Sequence, residues 1–249
     1  MCRITAYAGA PVPADTLIFR GTHSLLRQSY LPQELLYGNV NADGYGVVWY
    51  RDGSPIRTGS TRPIWQDEDL RALLEAVSSS TILAAVRNAT LGIPIEGGNQ
   101  PLLHGRWSFV LNGFVENFRP SHMRTLRSHL PDDLYGHLGG SSDSETLFLL
   151  AVAAVQTGAS RADALRRVRD IVLETVRTEN HTAQLTMVLA DGEGISVIHT
   201  GSEGSTNSLY LARGHPLAPR GTLLASERLD NHSSWEPVAP HDDIELIFP

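Results

Sequence analysis

Cys2 is the single cysteine among 249 residues, and it directly follows Met1. If the methionine is cleaved off, Cys2 carries a thiol and a free α-amine on one residue. That joins a nucleophile to a base without a second side chain. A terminal amine titrates near pH ~8 and activates nucleophiles of this kind. The residue type by itself fits a small buried hydrophobe equally well, so the rest of the chain has to supply a pocket.

Three further stretches carry side chains suited to such a thiol. Arg87 and Thr90 follow the apolar run ending at Val86, Asn112 and Gly113 follow the run 107–111, and Ser141-Ser142-Asp143-Ser144-Glu145 opens a helical pattern. Each has a plain structural reading: a surface arginine closing a strand, a turn chosen for positive φ, and an N-cap with an acid in the first turn. Together they fit one task. Thiolate attack on an amide carbonyl builds an oxyanion, for which an Asn side chain and the following backbone N–H are suitable donors. A substrate with an α-amino-acid head needs a cation for its carboxylate, which Arg87 can bind bidentately, and an anion for its ammonium, which Asp143 supplies. No histidine stands in a recognisable pairing with Cys2, which leaves the α-amine as general base. His122, His129 and His137 lack metal-ligand spacing. They read as surface histidines, and neither a metal nor a cofactor is expected.

The elements that must position these residues run strands, then helices, then strands. Residues 2–8 show the period-two alternation of a half-buried strand, closed by Gly9, Pro11 and Pro13. A short helix is expected over 14–19 and loop character over 28–32. A strand over 47–50 turns at Asp52-Gly53 into a return strand over 56–58. A helix over 67–77 and a buried strand over 81–86 precede a turn-rich segment, 94–101. The strand 107–111 should stop at Asn112-Gly113. Helical patterns cover 121–129, 144–156 and 160–177. Strands follow at 185–190, 195–199, 209–211, 222–225 and 244–248, with a hairpin at Asp191-Gly192. That order favours α+β with layered antiparallel sheets over alternating βαβ units. With no repeat, linker or low-complexity tract, residues 1–249 are expected to form one domain.

Composition narrows the partners. The chain is 41% hydrophobic and 19% charged with a net charge of −7, ordinary for a soluble globular protein and without the basic footprint of a nucleic-acid binder. A single cysteine excludes intrachain disulfides and cysteine-rich zinc sites. The longest apolar stretch, 147–155, falls far short of a membrane span, and the opening residues form no signal peptide. A cytoplasmic protein without membrane or nucleic-acid partners is expected.

Motif order carries a resemblance. Met1-Cys2-Arg3, Asn41-Ala42-Asp43-Gly44-Tyr45-Gly46, Val86-Arg87-Asn88-Ala89-Thr90-Leu91-Gly92, Leu111-Asn112-Gly113-Phe114-Val115 and Ser142-Asp143-Ser144-Glu145 resemble the class II glutamine amidotransferase domains of the N-terminal-nucleophile hydrolase superfamily. Gln28-Ser29-Tyr30, residues 63–67, residues 84–90 and Ala225-Ser226-Glu227 extend the similarity toward the γ-glutamyl hydrolases of ergothioneine biosynthesis, which cleave γ-glutamyl hercynylcysteine sulfoxide. The resemblance implies a four-layer αββα sandwich with Cys2 as nucleophile once exposed. It puts Asn112 and Gly113 in the oxyanion hole, Arg87 and Thr90 at the glutamyl carboxylate, and Asp143 at the glutamyl ammonium. The expected ligand is a small γ-glutamyl substrate. One departure stands out: Leu111 occupies the place where the family usually has histidine. Two other outcomes stay open, a glutaminase subunit feeding ammonia to a separate synthase and a binding protein on a retired hydrolase fold. Homo-oligomerisation and a partner synthase are likewise undecided by sequence.

Overall fold

In the computed structural model, which describes residues 2–35, 38–88, 99–202 and 206–247, two antiparallel sheets face each other across an apolar layer. The chain runs β1 (Arg3–Pro13), α1 (Asp15–Phe19), α2 (Leu25–Tyr30), β2 (Tyr45–Arg51), β3 (Ser54–Ser60), α3 (Leu70–Glu75), β4 (Ser78–Val86), β5 (Leu102–His104) and β6 (Trp107–Val115). After a π turn (Phe118–His122) come α4 (Met123–Arg127), α5 (Asp132–Tyr135), α6 (Asp143–Gln156) and α7 (Arg161–Thr178). The chain closes with β7 (Ala183–Ala190), β8 (Gly194–Gly201), β9 (Tyr210–His215), β10 (Ala218–Ala225), β11 (Trp235–Pro237) and β12 (Asp242–Ile247). Strand order is β11-β9-β10-β1-β4-β2-β3 in the larger sheet and β12-β8-β7-β6-β5 in the smaller.

Strand alternation builds the layers. Ile4, Ala6 and Ala8 of β1 point between the sheets and meet Val48, Leu83, Val110, Val188 and Val197. Tyr7, on the opposite face, packs with Leu17, Ile18, Leu25, Leu70 and Leu74 of α1–α3. On the smaller sheet, Leu111, Val115, Leu185, Met187 and Leu189 face α6 and α7, whose buried Leu165, Val168, Val172 and Val176 recur at helical spacing. The result is the expected αββα sandwich. Among the described residues no helix is long and apolar enough to cross a membrane.

Three local expectations are corrected. β1 does not end at Gly9 but continues to Pro13 through a register shift between Ala8 and Val12. Gln28, Ser29 and Tyr30 are helical, because Ser24 caps α2 and buried Gln28 donates to the carbonyls of His23 (2.9 Å) and Glu227 (3.1 Å). β6 runs through Asn112-Gly113 to Val115, paired with β7 in the register Asn112↔Thr186 and Gly113↔Leu185. β11 is a short strand that no sequence pattern announced. Most of the turn-rich segment 94–101 lies outside the described residues.

Candidate active site

Cys2 sits just before β1, half-buried and packed against the Ile4 layer between the sheets. It is anchored from behind. Arg3 is fully buried; its Nε donates to the Cys2 carbonyl (3.0 Å) and its Nη1 to Glu227 Oε1 (3.0 Å). Glu227 Oε2 meets His23 Nε2 at 2.6 Å and accepts from the Gln33 N–H at 2.9 Å, while Oε1 accepts from the Glu34 N–H at 3.0 Å. Burial alone would raise the Glu227 carboxyl; the His23 bond, the two N–H donors and Arg3 together outweigh it and hold it below the ordinary value. Burial pulls the Arg3 guanidinium down, opposed by Glu227. Ser226 Oγ accepts from the Ile4 N–H at 2.9 Å. The end of β10 therefore fixes the backbone on both sides of Arg3.

Arg87 emerges beside this terminus because Arg3 pairs with Val86 in the β1–β4 register. Its N–H donates to the Gly44 carbonyl (2.8 Å) and its carbonyl accepts from the Asp43 N–H (3.0 Å). Gly44 has a φ of +109°, and a Cβ there would stand 2.5 Å from the Ser60 carbonyl oxygen. Only glycine lets this loop close on the strand end. Arg87 Nη1 reaches Asn99 Oδ1 at 3.4 Å.

The edge of β6 supplies the donors. Successive N–H groups on one edge of a strand belong to every second residue. Leu111 N–H donates to Gln100 Oε1, and Val115 N–H donates to Asp143 Oδ2 at 3.1 Å, both away from β7. The N–H of Gly113, midway between them, opens on that same edge, and Gly113 lines the cavity. Gly113 is not in a left-handed turn. It is required because a Cβ would stand 1.8 Å from the Gln184 carbonyl oxygen of β7. Asn112 is fully buried; Asn207 Nδ2 donates to its carbonyl (3.2 Å) and its Oδ1 (3.4 Å). That fixes the amide, and its own Nδ2 is buried without a hydrogen-bond partner among the described residues.

Asp143 is the first residue of α6. The capping is done by Ser142, whose Oγ accepts from the Glu145 N–H at 3.2 Å. Asp143 Oδ1 accepts from the Ser144 N–H (2.7 Å) and Oδ2 from the Val115 N–H. Burial pushes its carboxyl above the ordinary value, against those bonds. A cavity of about 340 Å³ joins Cys2, Arg87, Gly113, Asp143, Ser142 and Arg119. Asn112 stands behind its wall, and Thr90 lies outside the described residues. The assembled groups are a thiol, a guanidinium, a carboxylate and a strand-edge N–H, the set that acyl transfer on an α-amino acid requires.

Residues 32–230 match the family described as glutamine amidotransferases class-II. The chain belongs to that family. Its chemistry is therefore hydrolysis of a carbon–nitrogen amide bond. Curated family relatives named gamma-glutamyl-hercynylcysteine sulfoxide hydrolase include one from Mycobacterium tuberculosis, 31% identical over 99% of this chain and 93% of its own length. Another, from Mycolicibacterium smegmatis, is 32% identical over 96% of this chain and 92% of its own. A class-II domain protein from Silicibacter pomeroyi has a similar structure, with a TM-score of 0.71 at 24% identity and full coverage of both chains. The allosteric regulatory enzyme of purine biosynthesis superposes with a TM-score of 0.66 at 14% identity, over 99% of this chain and 47% of its own. The amidotransferase fold is thus shared well beyond recognisable sequence similarity.

Leu111 buries its side chain in the α6–α7 core, while the Gln100 amide brackets its backbone, accepting from its N–H and donating to its carbonyl at 3.1 Å. Sequence reasoning gave no role to Gln100, Glu227, Asn207 or Arg119. Only Glu227 had carried a signal, the Ala225-Ser226-Glu227 segment. Trp65 is neither core nor cavity wall: it is 40% exposed and stacks edge-on with Tyr30. His122 is not a surface residue, being 1% exposed.

Proposed function

We propose that this amidotransferase-family chain is a γ-glutamyl amide hydrolase that works through a processed N-terminal Cys2. The observation that carries the reading is the cavity-facing Gly113 N–H on the same 340 Å³ chamber as the Cys2 thiol. With Met1 removed, the neutral α-amine takes the thiol proton, and the sulfur attacks the γ-carbonyl carbon. The carbonyl oxygen gains the negative charge, received by the Gly113 N–H and by Asn112 Nδ2, which has no hydrogen-bond partner among the described residues. Arg87, with Thr90, holds the α-carboxylate of the glutamyl group, and Asp143 holds its ammonium. The protonated amine then gives its proton to the leaving nitrogen, the C–N bond breaks, and a thioester remains. Water, deprotonated by the same amine, attacks the thioester. Glutamate leaves and the thiol is restored.

Arg119 points to the nature of the leaving amine. It lines the cavity, its Nε donates to the Ser141 carbonyl at 3.2 Å, and no carboxylate among the described residues pairs with its guanidinium. An exposed cation at the chamber mouth favours a leaving amine that carries a carboxylate. The γ-glutamyl hercynylcysteine sulfoxide named for the mycobacterial relatives meets that description, and ammonia from glutamine does not.

A substrate panel tests the reading. Glutamate release is measured from γ-glutamyl hercynylcysteine sulfoxide, an uncharged γ-glutamyl alkylamide and glutamine, with intact-mass analysis of the mature N-terminus. The expected result is loss of Met1, preference for the carboxylate-bearing conjugate, and no turnover in Cys2→Ala. Arg119→Ala should reduce that preference about tenfold, the scale of one exposed charged hydrogen bond. Undiminished release by Cys2→Ala, or retained Met1 in active protein, would overturn it. Glutamine as the best substrate would favour an ammonia-supplying subunit instead.

A further inference from the structure

We propose that His122, Glu179 and His181 form a binding site for one divalent transition-metal ion of the Zn2+ class, on the outer side of the cavity wall. Two separate pieces of chain deliver the ligands. His122 ends the π turn, a form of helix often found at functional sites, Glu179 follows the last residue of α7, and His181 lies in the link to β7. One ligand atom from each residue lies within 4.8 Å of the other two. His122 Nε2 and His181 Nδ1 are 2.9 Å apart, and Glu179 Oε2 stands 3.8 Å from His181 Nδ1.

Those separations suit an ion. Around a tetrahedral Zn2+ with bonds of about 2.1 Å, ligand atoms sit about 3.4 Å from one another. The 2.9 and 3.8 Å separations bracket that value, so the two rings part by about 0.5 Å and the carboxylate closes by about 0.4 Å. Packing holds the His122 ring, which is 1% exposed. The His181 and Glu179 side chains are 22% and 48% exposed, which gives the ion an entry path and leaves its remaining position to water. Two imidazoles and one carboxylate select Zn2+, Co2+ or Ni2+ over Mg2+ and Ca2+. Glu116 does not belong to the group whose ligand atoms lie within 4.8 Å of one another; its Oε2 accepts from the N–H and hydroxyl of Thr182.

Ion binding would reach the cavity through Asn117, which lines it and whose Nδ2 stands 3.0 Å from His181 Nε2. In that arrangement Nε2 accepts, so the ring proton is on Nδ1, directed at His122. With an ion on Nδ1, the ring N–H is on Nε2 instead. Asn117 must then turn its Oδ1 toward the ring, as outer partners of metal-bound histidines do. Occupancy would thus decide which end of an amide faces the substrate chamber.

The full-length chain, stripped with a chelator, is titrated with Co2+ and then Zn2+ while visible absorption is followed. We expect one Co2+ per chain with a ligand-field spectrum that Zn2+ abolishes. Glu179→Gln, at an exposed position, should weaken binding at least about tenfold, the least effect expected when even an outer partner of a metal site is changed, and His181→Asn should remove the spectrum. Circular dichroism verifies that both variants are folded. Absence of a Co2+ spectrum in the wild type refutes the site. Binding by both variants equal to wild type also refutes it, since the ion then resides on others of the ten histidines. The readout needs no turnover, so it stands apart from the amidohydrolase reading.

Discussion

Gly113→Ala tests the structural basis of the candidate oxyanion donor. The added Cβ would stand 1.8 Å from the Gln184 carbonyl oxygen and 2.7 Å from its carbon. Non-bonded heavy atoms settle near 3.5 Å or beyond, so β6 and β7 must separate locally by roughly 1.7 Å. Both obstacles are backbone atoms in the middle of a ladder, flanked by the pairs Asn112↔Thr186 and Phe114↔Gln184, so no side-chain rotation relieves the clash. Overpacking of this kind costs about 1–3 kcal/mol. For a chain of this size that lowers Tm by roughly 3–10 °C. The displaced group is also the one that carries the cavity-facing N–H. A misplacement of about 1 Å at a reacting centre costs on the order of a hundredfold in rate, and loss of one oxyanion donor costs about 10²–10³. Thermal unfolding and glutamate release from a γ-glutamyl substrate are the assays. Gly139→Ala is the control, since its Cβ would meet only Glu145 Oε1, at an ordinary 3.5 Å. If Gly113→Ala melts within about 1 °C of wild type and keeps kcat/KM within about threefold, the strand-edge assignment is wrong.

The carboxyls of Asp143 and Glu227 give predictions with opposite signs. Burial raises Asp143, and its proposed role requires the ionised form. Binding of a γ-glutamyl substrate to the Cys2→Ala protein, which does not depend on the terminal amine acting as base, should therefore weaken in acid along a limb above the ordinary aspartate value of about 3.9, and that limb should vanish when Asp143→Asn is added, along with most substrate affinity. A limb at or below that value would contradict the assignment. Glu227 is held low, so its contribution to stability is fully present above the ordinary glutamate value and is lost as pH falls through its depressed one. Glu227→Gln strands buried Arg3, and denaturant unfolding at pH 7 should show a loss of about 3–5 kcal/mol that narrows in acid. Equal stability at pH 7 would refute the role of Glu227 as the anchor of Cys2.

Periodicity made most elements legible. The alternation of Ile4, Ala6 and Ala8, the stripe Leu165, Val168, Val172 and Val176, and the turn at Asp52-Gly53 each encode a local geometry that survives into the fold. The failures share one cause, which is tertiary contact overriding a local signal. Asn112-Gly113 carries the composition of a turn, yet β7 pairs with it and keeps the strand going. Gln28-Ser29-Tyr30 has loop composition, yet a buried glutamine bonding to two distant carbonyls makes it helical. Trp65 reads as a core residue by type and lies on the surface because the 3-10 turn 64–66 turns Ile64 inward instead.

The sequence alone determined the inventory of the candidate site: a lone cysteine next to the initiator methionine, and the motifs holding the candidate residues Arg87, Thr90, Asn112, Gly113 and Asp143 in the order the resemblance implies. Residue type and order are one-dimensional properties, so a single chain displays them. Tertiary structure decided which of those groups meet. The β1–β4 register brings Arg87 beside Cys2, and β6 brings Gly113 to the cavity that Cys2 lines. Glu227, more than two hundred residues away, ties down the strand that carries Cys2 through Arg3. The same holds for the pairing of His122 with Glu179 and His181, which chain spacing had hidden. Register, strand edge and long-range ion pairing depend on which segments pack together, and that exists only in the folded chain.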